Sequence, residues 1–179
     1  MNLFVQNLKK KIRSVGSVGI CLLLQGCGMF SFSSGTLSSA IQTFSLETFQ
    51  TEIAEGPIDL KDQLTEELAD RIQNMTNVTR VEKDGDIQFE GVIKSFSYTS
   101  IAASSNNESS REGKERLTIR VEVSYHNTTD KEASFTKKTF YEYADTETSA
   151  GRDAEESGLV EAIVRKLAES IAAKSIDRW

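Results

Sequence analysis

The chain has 179 residues, 21 basic against 27 acidic, with a formal net charge of −6 and 38% hydrophobic residues. That length suits one ordinary domain, and the apolar share, with nine Phe, can bury a core, which excludes an intrinsically disordered chain. The negative balance argues against nucleic acid as a partner, because duplex backbones are bound by clustered Lys and Arg.

The first 26 residues contain no acidic residue. Lys9, Lys10, Lys11 and Arg13 precede a short apolar run from Val15 to Leu24. A basic start, an apolar centre and a small residue before a cut describe a secretory signal. The run is too short to span a bilayer, which takes about 20 apolar residues. Leu22-Leu23-Leu24-Gln25-Gly26-Cys27 resembles the lipobox of bacterial lipoproteins, with Gln25 an unusual occupant two places before the cysteine. That resemblance implies that residues 1–26 are a lipoprotein signal peptide and that Cys27 becomes the lipidated first residue. An ordinary signal peptide with a chance cysteine is the alternative. On the lipoprotein reading, cutting leaves 17 basic against 27 acidic residues, a net charge of −10. Cys21 departs with the signal and Cys27 carries lipid, so no disulfide is expected.

Residues 27–40, rich in Ser and Gly, read as a lipidated flexible tether, and 41–179 as a single domain. No Asp or Glu occurs before Glu47. Its likeness to Gram-negative lipoproteins without an early acidic residue implies an outer-membrane location, lipid-anchored on the periplasmic side.

Gln42–Phe49 reads as a first strand, with Phe44 and Leu46 on one face. Thr51–Gly56 is a polar link, and Pro57 stands at a helix entry that the Asp59 side chain is expected to cap. Leu60, Leu64, Leu68, Ile72 and Met75 then form one apolar stripe on an otherwise charged helix, which ends near Asn74–Asn77. Val78–Val81 is a short strand. Asp84-Gly85 predicts a tight hairpin turn into a longer strand with Ile87, Phe89, Gly91 and Ile93 on one face. The apolar parity then changes to Phe96 and Tyr98, which predicts a bulge near Ile93–Ser95. Ala102–Lys114 is a polar loop with no apolar period.

Leu117, Ile119, Val121, Val123 and Tyr125 alternate with polar residues, as in an antiparallel sheet covered on one side. His126–Glu132 reads as a polar turn and Ser134–Tyr143 as the returning strand. The last helix carries Leu159, Ile163, Leu167 and Ile171, flanked by Val160, Val164, Ala168 and Ala172. The expected fold is α+β: a two-layer sandwich in which two helices cover one face of a mixed, mostly antiparallel sheet of about four strands.

No catalytic constellation is legible. His126 is the only histidine and reads as a solvated turn residue rather than a general base. Zinc sites of the usual Cys and His kind lack their ligands, the glycines form no phosphate loop, and no G-x-S-x-G motif is present. The expectation is no enzyme activity, no cofactor and no metal.

Several segments together resemble the LptE family of lipopolysaccharide-assembly lipoproteins. They are Cys27-Gly28 with Ser31-Phe32-Ser33-Ser34-Gly35, then Thr43-Phe44-Ser45-Leu46 ending at Phe49, and Asp86-Ile87-Gln88-Phe89-Glu90-Gly91. Arg116-Leu117-Thr118-Ile119 with Val121 and Val123, and the amphipathic C-terminal helix, complete the series. Their order and spacing carry the likeness. It implies a non-enzymatic plug and assembly partner of the lipopolysaccharide-translocating β-barrel LptD, in contact with lipopolysaccharide. The phosphates of that glycolipid would need a local basic site, for which Arg116, Arg120, Lys137 and Lys138 are the candidates. Ordinary solubilising charges, paired with Glu122 or Glu142, are the other reading of the same four. An outer-membrane scaffold or regulator of a cell-wall or secretion complex is the alternative function.

Overall fold

The computed structural model describes residues 40–101, 115–146 and 152–176. The signal, the tether, Cys27 and the 102–114 loop lie outside them. The chain order is β1 (Thr43–Leu46), β2 (Gln50–Thr51), α1 (Leu60–Met75), β3 (Thr79–Val81), β4 (Ile87–Ser100), β5 (Glu115–Asn127), a short 3-10 turn (Lys131–Ala133), β6 (Phe135–Asp145) and α2 (Arg152–Ile176). The fold is a two-layer α+β sandwich, with both helices on one face of the sheet.

The sheet has six strands rather than about four. Five run in the order β3-β1-β4-β5-β6, and β2 pairs beside β4. It is mixed. The short pairings of β1 with β3, of β1 with β4 and of β2 with β4 are parallel, while the long ladders β4-β5 and β5-β6 are antiparallel. The alternation of β5 is as expected: Leu117, Ile119, Val121, Val123 and Tyr125 are buried. They meet the stripe of α1 (Leu60, Leu64, Leu68, Ile72) and that of α2 (Leu159, Ile163, Leu167, Ile171) in one core. The bulge in β4 is also as expected. Register shifts between Ile93 and Ser95, so that Phe96 and Tyr98 return to the core side opposite Ile119 and Leu117.

Three local expectations are corrected. Asp84-Gly85 does not close a hairpin, because β1 is inserted between β3 and β4. The link over residues 82–86 instead passes across β1 on the face away from the helices. There the Gly85 N–H donates to Ser45 Oγ at 3.3 Å and the Asp86 N–H to Thr43 Oγ1 at 3.1 Å. A side chain at position 85 would meet the Ser45 backbone nitrogen at 2.5 Å, so the crossing requires glycine. The positive φ in this link belongs to Asp84, at 55°.

The Asp59 side chain makes no capping bond. Its backbone carbonyl accepts from the Asp62 and Gln63 amides, and its carboxylate accepts from Gln63 Nε2 at 2.9 Å. Finally, Gln50–Thr51 is a strand rather than loop, held beside Val92 and Ile93. Just before it, fully buried Phe49 lies over Gly91, whose missing Cβ would meet the ring at 2.3 Å. The Phe49 amide donates to Thr65 Oγ1 on α1 at 3.1 Å. One glycine therefore lets the sheet, the β1-β2 link and the first helix close on each other.

Candidate binding surface

The helices leave one face of the sheet open, and that face is the only broad surface on which β4, β5 and β6 display side chains together among the described residues. Its rungs follow from the register: Thr99, Arg116 and Asp145; Ser97, Thr118 and Tyr143; Ser95, Arg120 and Tyr141; Val92, Glu122 and Thr139. Apart from Val92, these belong to the polar or amphipathic half of an alternation whose other half is core.

Arg116 is clamped. Its guanidinium forks onto Asp145, Nε to Oδ1 at 2.7 Å and the second nitrogen to Oδ2 at 3.0 Å, and stacks 3.9 Å from the Tyr143 ring centroid. The bond to Asp145 raises the Arg116 pKa above its ordinary value, so the group stays charged but is locally neutralised. Arg120 lies 5.8 Å from the Tyr141 ring centroid and has no ion pair among the described residues. Tyr141 and Tyr143 are 60% and 43% exposed. Cations and phenol rings therefore share the β5-β6 half of the face, where each can stack on the other.

The β1-β4 half is acidic. A cavity of about 360 Å³ is lined there by Glu47, Glu82, Asp84, Glu90, Ser45 and His126, among others. His126 is not in a turn. It is an exposed residue of β5, paired with Gln88, since the ladder runs two residues further than its apolar pattern. Two residues beyond Asp84 the Asp86 carboxylate receives the Gln42 amide, the Thr43 amide and Thr43 Oγ1, each at 2.9 Å. These bonds, the Gln42 amide foremost, hold its pKa below the ordinary 3.8.

The four basic candidates are not brought together. Arg116 and Arg120 share the open face. Lys137 adopts a φ of 50° at a second bulge, where register shifts between Val123 and Tyr125. It lines a smaller depression of about 160 Å³ with Glu47, Glu90 and Glu122. Lys138 stands opposite buried Val123, hence on the helix side, with Nζ 5.9 Å from the Phe135 ring centroid. Alternation alone separates the two lysines, because adjacent strand residues point to opposite faces; beside them lies the bulge. Its signal was present in the sequence: Phe135 and Phe140 are five residues apart, an odd spacing that one face of an unbroken strand cannot accommodate. On the alternative reading of these cations, no ion pair with Glu142 is present among the described residues; Glu142 accepts from Ser170 at 2.9 Å. Sequence reasoning also missed Asp145 as the partner of Arg116, and missed the two tyrosines, whose parity opposite Phe140 marks them as outward.

Among the described residues no group of three or more His, Cys, Asp or Glu could hold a metal ion, and no helix is long and apolar enough to cross a membrane. The surface can stack rings, offer hydroxyls and present an uncommitted guanidinium.

A family model for lipopolysaccharide assembly, LptE, matches residues 41–175. A search of curated proteins by sequence gave no match. Among solved structures, a protein from Xanthomonas campestris is similar at a TM-score of 0.52 and 10% identity, covering 79% of this chain and 90% of its own. A minor lipoprotein from Acinetobacter baumannii aligns at 0.48 and 14% identity, over 75% and 92% of the two chains. Lipoprotein B from Nitrosomonas europaea aligns at 0.47 and 14% identity, over 78% and 83%. At such identities only the shared fold of the Xanthomonas protein bears on this chain.

Proposed function

Because the chain belongs to the LptE family of lipopolysaccharide-assembly proteins, we propose that it is the lipoprotein partner of a lipopolysaccharide-translocating outer-membrane β-barrel of the LptD kind. It acts as plug and assembly partner of that barrel, without enzymatic activity, and contacts lipopolysaccharide. It is held on the periplasmic side of the outer membrane by lipid on Cys27.

The observation that carries this reading is the family match over residues 41–175, which spans the whole sheet and nearly all of both helices. The open face supports it chemically. The interior of a membrane barrel is polar, and a folded plug must keep its core while presenting charges and hydroxyls to that interior. The rungs of Ser95, Ser97, Thr99, Thr118 and Glu122 provide such a surface.

For the glycolipid, the proposed contacts remain Arg116, Arg120, Lys137 and Lys138, with unequal shares. Arg116 already satisfies a carboxylate and Lys138 lies on the helix side, so Arg120 is the leading phosphate contact, stacked beside Tyr141. Binding of purified lipopolysaccharide by the full chain tests this. Arg120→Gln should weaken affinity at low salt by roughly tenfold, the worth of one charge-assisted hydrogen bond. Arg116→Gln should do less. Unchanged affinity in the Arg120 variant would place the glycolipid elsewhere.

A further inference from the structure

Among the described residues β6 is the last strand of the sheet, with no further strand paired beyond it. Its hydrogen-bond phase follows from two contacts. The Thr146 amide donates to the Glu115 carbonyl at 2.8 Å, which makes positions 140, 142 and 144 the ones bonded to β5. Lys166 Nζ reaches the Tyr143 carbonyl at 3.4 Å from the other side. The amides and carbonyls of Thr139, Tyr141 and Tyr143 therefore point away from the sheet, and Lys166 engages only one of these carbonyls. The side chains of the same three residues lie on the open face, where Tyr141 and Tyr143 form its apolar part. On the helix side of the edge stand Lys138, which has no ion pair among the described residues, and Lys166.

We infer that the β6 edge accepts an extended segment of a partner protein as a seventh strand, with apolar residues against Tyr141 and Tyr143 and carboxylates against Lys138 and Lys166. The backbone supplies affinity and the alternating side chains supply choice, as in strand addition generally. β-Branched residues pack well across from aromatic ones. Charge complementarity selects the segment: a chain of net charge −6 carries two cations where an incoming strand would run. The inference goes beyond the barrel reading. The wall strands of a closed barrel have no free edge to offer, so the segment is a loop or tail of the partner.

The competing role for the same features is protection. Lysines and bulges on edge strands also discourage pairing, and the bulge at Lys137 and the Lys166 contact would then serve as guards. The probe that separates the two is an eight-residue peptide of alternating valine and glutamate, titrated against the full chain beside an alternating valine and lysine peptide. Expected is binding of the glutamate peptide in preference to the lysine one. On binding, amide hydrogen exchange at positions 139, 141 and 143 should slow, with no change at 140 and 142. Tyr141→Pro removes only an outward donor, which edge strands tolerate. It should bind the peptide about three- to tenfold more weakly than Tyr141→Ala, the loss of one backbone hydrogen bond. If the proline variant does not fold, the exchange pattern of the wild type decides alone. No binding, preference for the lysine peptide, or unchanged exchange at 139, 141 and 143 would overturn the inference and leave these residues as edge guards.

Discussion

At the scale of single residues, Asp86 does more than its place after the turn-like pair Asp84-Gly85 implies. It ties the start of β1 to the start of β4 through three bonds to one carboxylate, while its own carbonyl accepts from the Thr128 amide and hydroxyl at the end of β5. Its folded-state pKa lies below 3.8, whereas unfolding restores the ordinary value. A depressed carboxylate stabilises the fold fully above the unfolded value, and that contribution fades as pH falls through the folded one. Asp86→Asn should therefore lower the melting temperature at neutral pH, and the gap from wild type should narrow below about pH 3.8. A gap independent of pH down to 2 would show that the charge of Asp86 contributes nothing.

At the scale of elements, the stripes of the two helices and the alternation of β5 were legible because each is a local period, repeated over several turns or pairs. Burial simply follows it. The bulge near Lys94 was legible for the same reason, as a change in parity. What could not be read was pairing. Asp84-Gly85 has the composition of a hairpin turn, yet the strand inserted between its flanks comes from forty residues earlier, and no local pattern encodes that neighbour. β2 is too short, at Gln50–Thr51, to show any period at all. Of the candidate site, the placement of Arg116 and Arg120 on one face followed from alternation, and the same alternation already put adjacent Lys137 and Lys138 on opposite faces.

Two substitutions test this packing. Gly91→Ala pushes a methyl group into the buried Phe49 ring and should cost about 1–3 kcal/mol, read from chemical denaturation. No loss would mean that the Phe49 contact is slack. Ile163→Asp puts an unpaired carboxylate at a fully buried position of α2 and should cost several kcal/mol, a large part of the roughly 5–15 kcal/mol that holds a domain together. A wild-type melting temperature in that variant would contradict helix packing over the sheet.

At the scale of the whole molecule, the described residues form a two-layer body whose polar sheet face remains uncovered among them. β1, where the domain begins, starts beside Asp86 and Thr128, at the end of the sheet opposite the distal end of β4. Cys27→Ala should leave the protein unprocessed or released from membranes, because anchoring rests on the acyl chains. Mass spectrometry that finds unmodified Cys27 in mature protein would remove the anchor from the account.

The most direct measurement is purification of the full chain from outer membranes in mild detergent, with the copurifying partner identified and counted by mass. A stable complex with a lipopolysaccharide-export β-barrel is the expected result, in constant proportion and surviving high salt, as a plug held over a large surface would be. Recovery of a cell-wall enzyme or a secretion pore instead, or of the lipoprotein alone from membranes that contain the barrel, would contradict it.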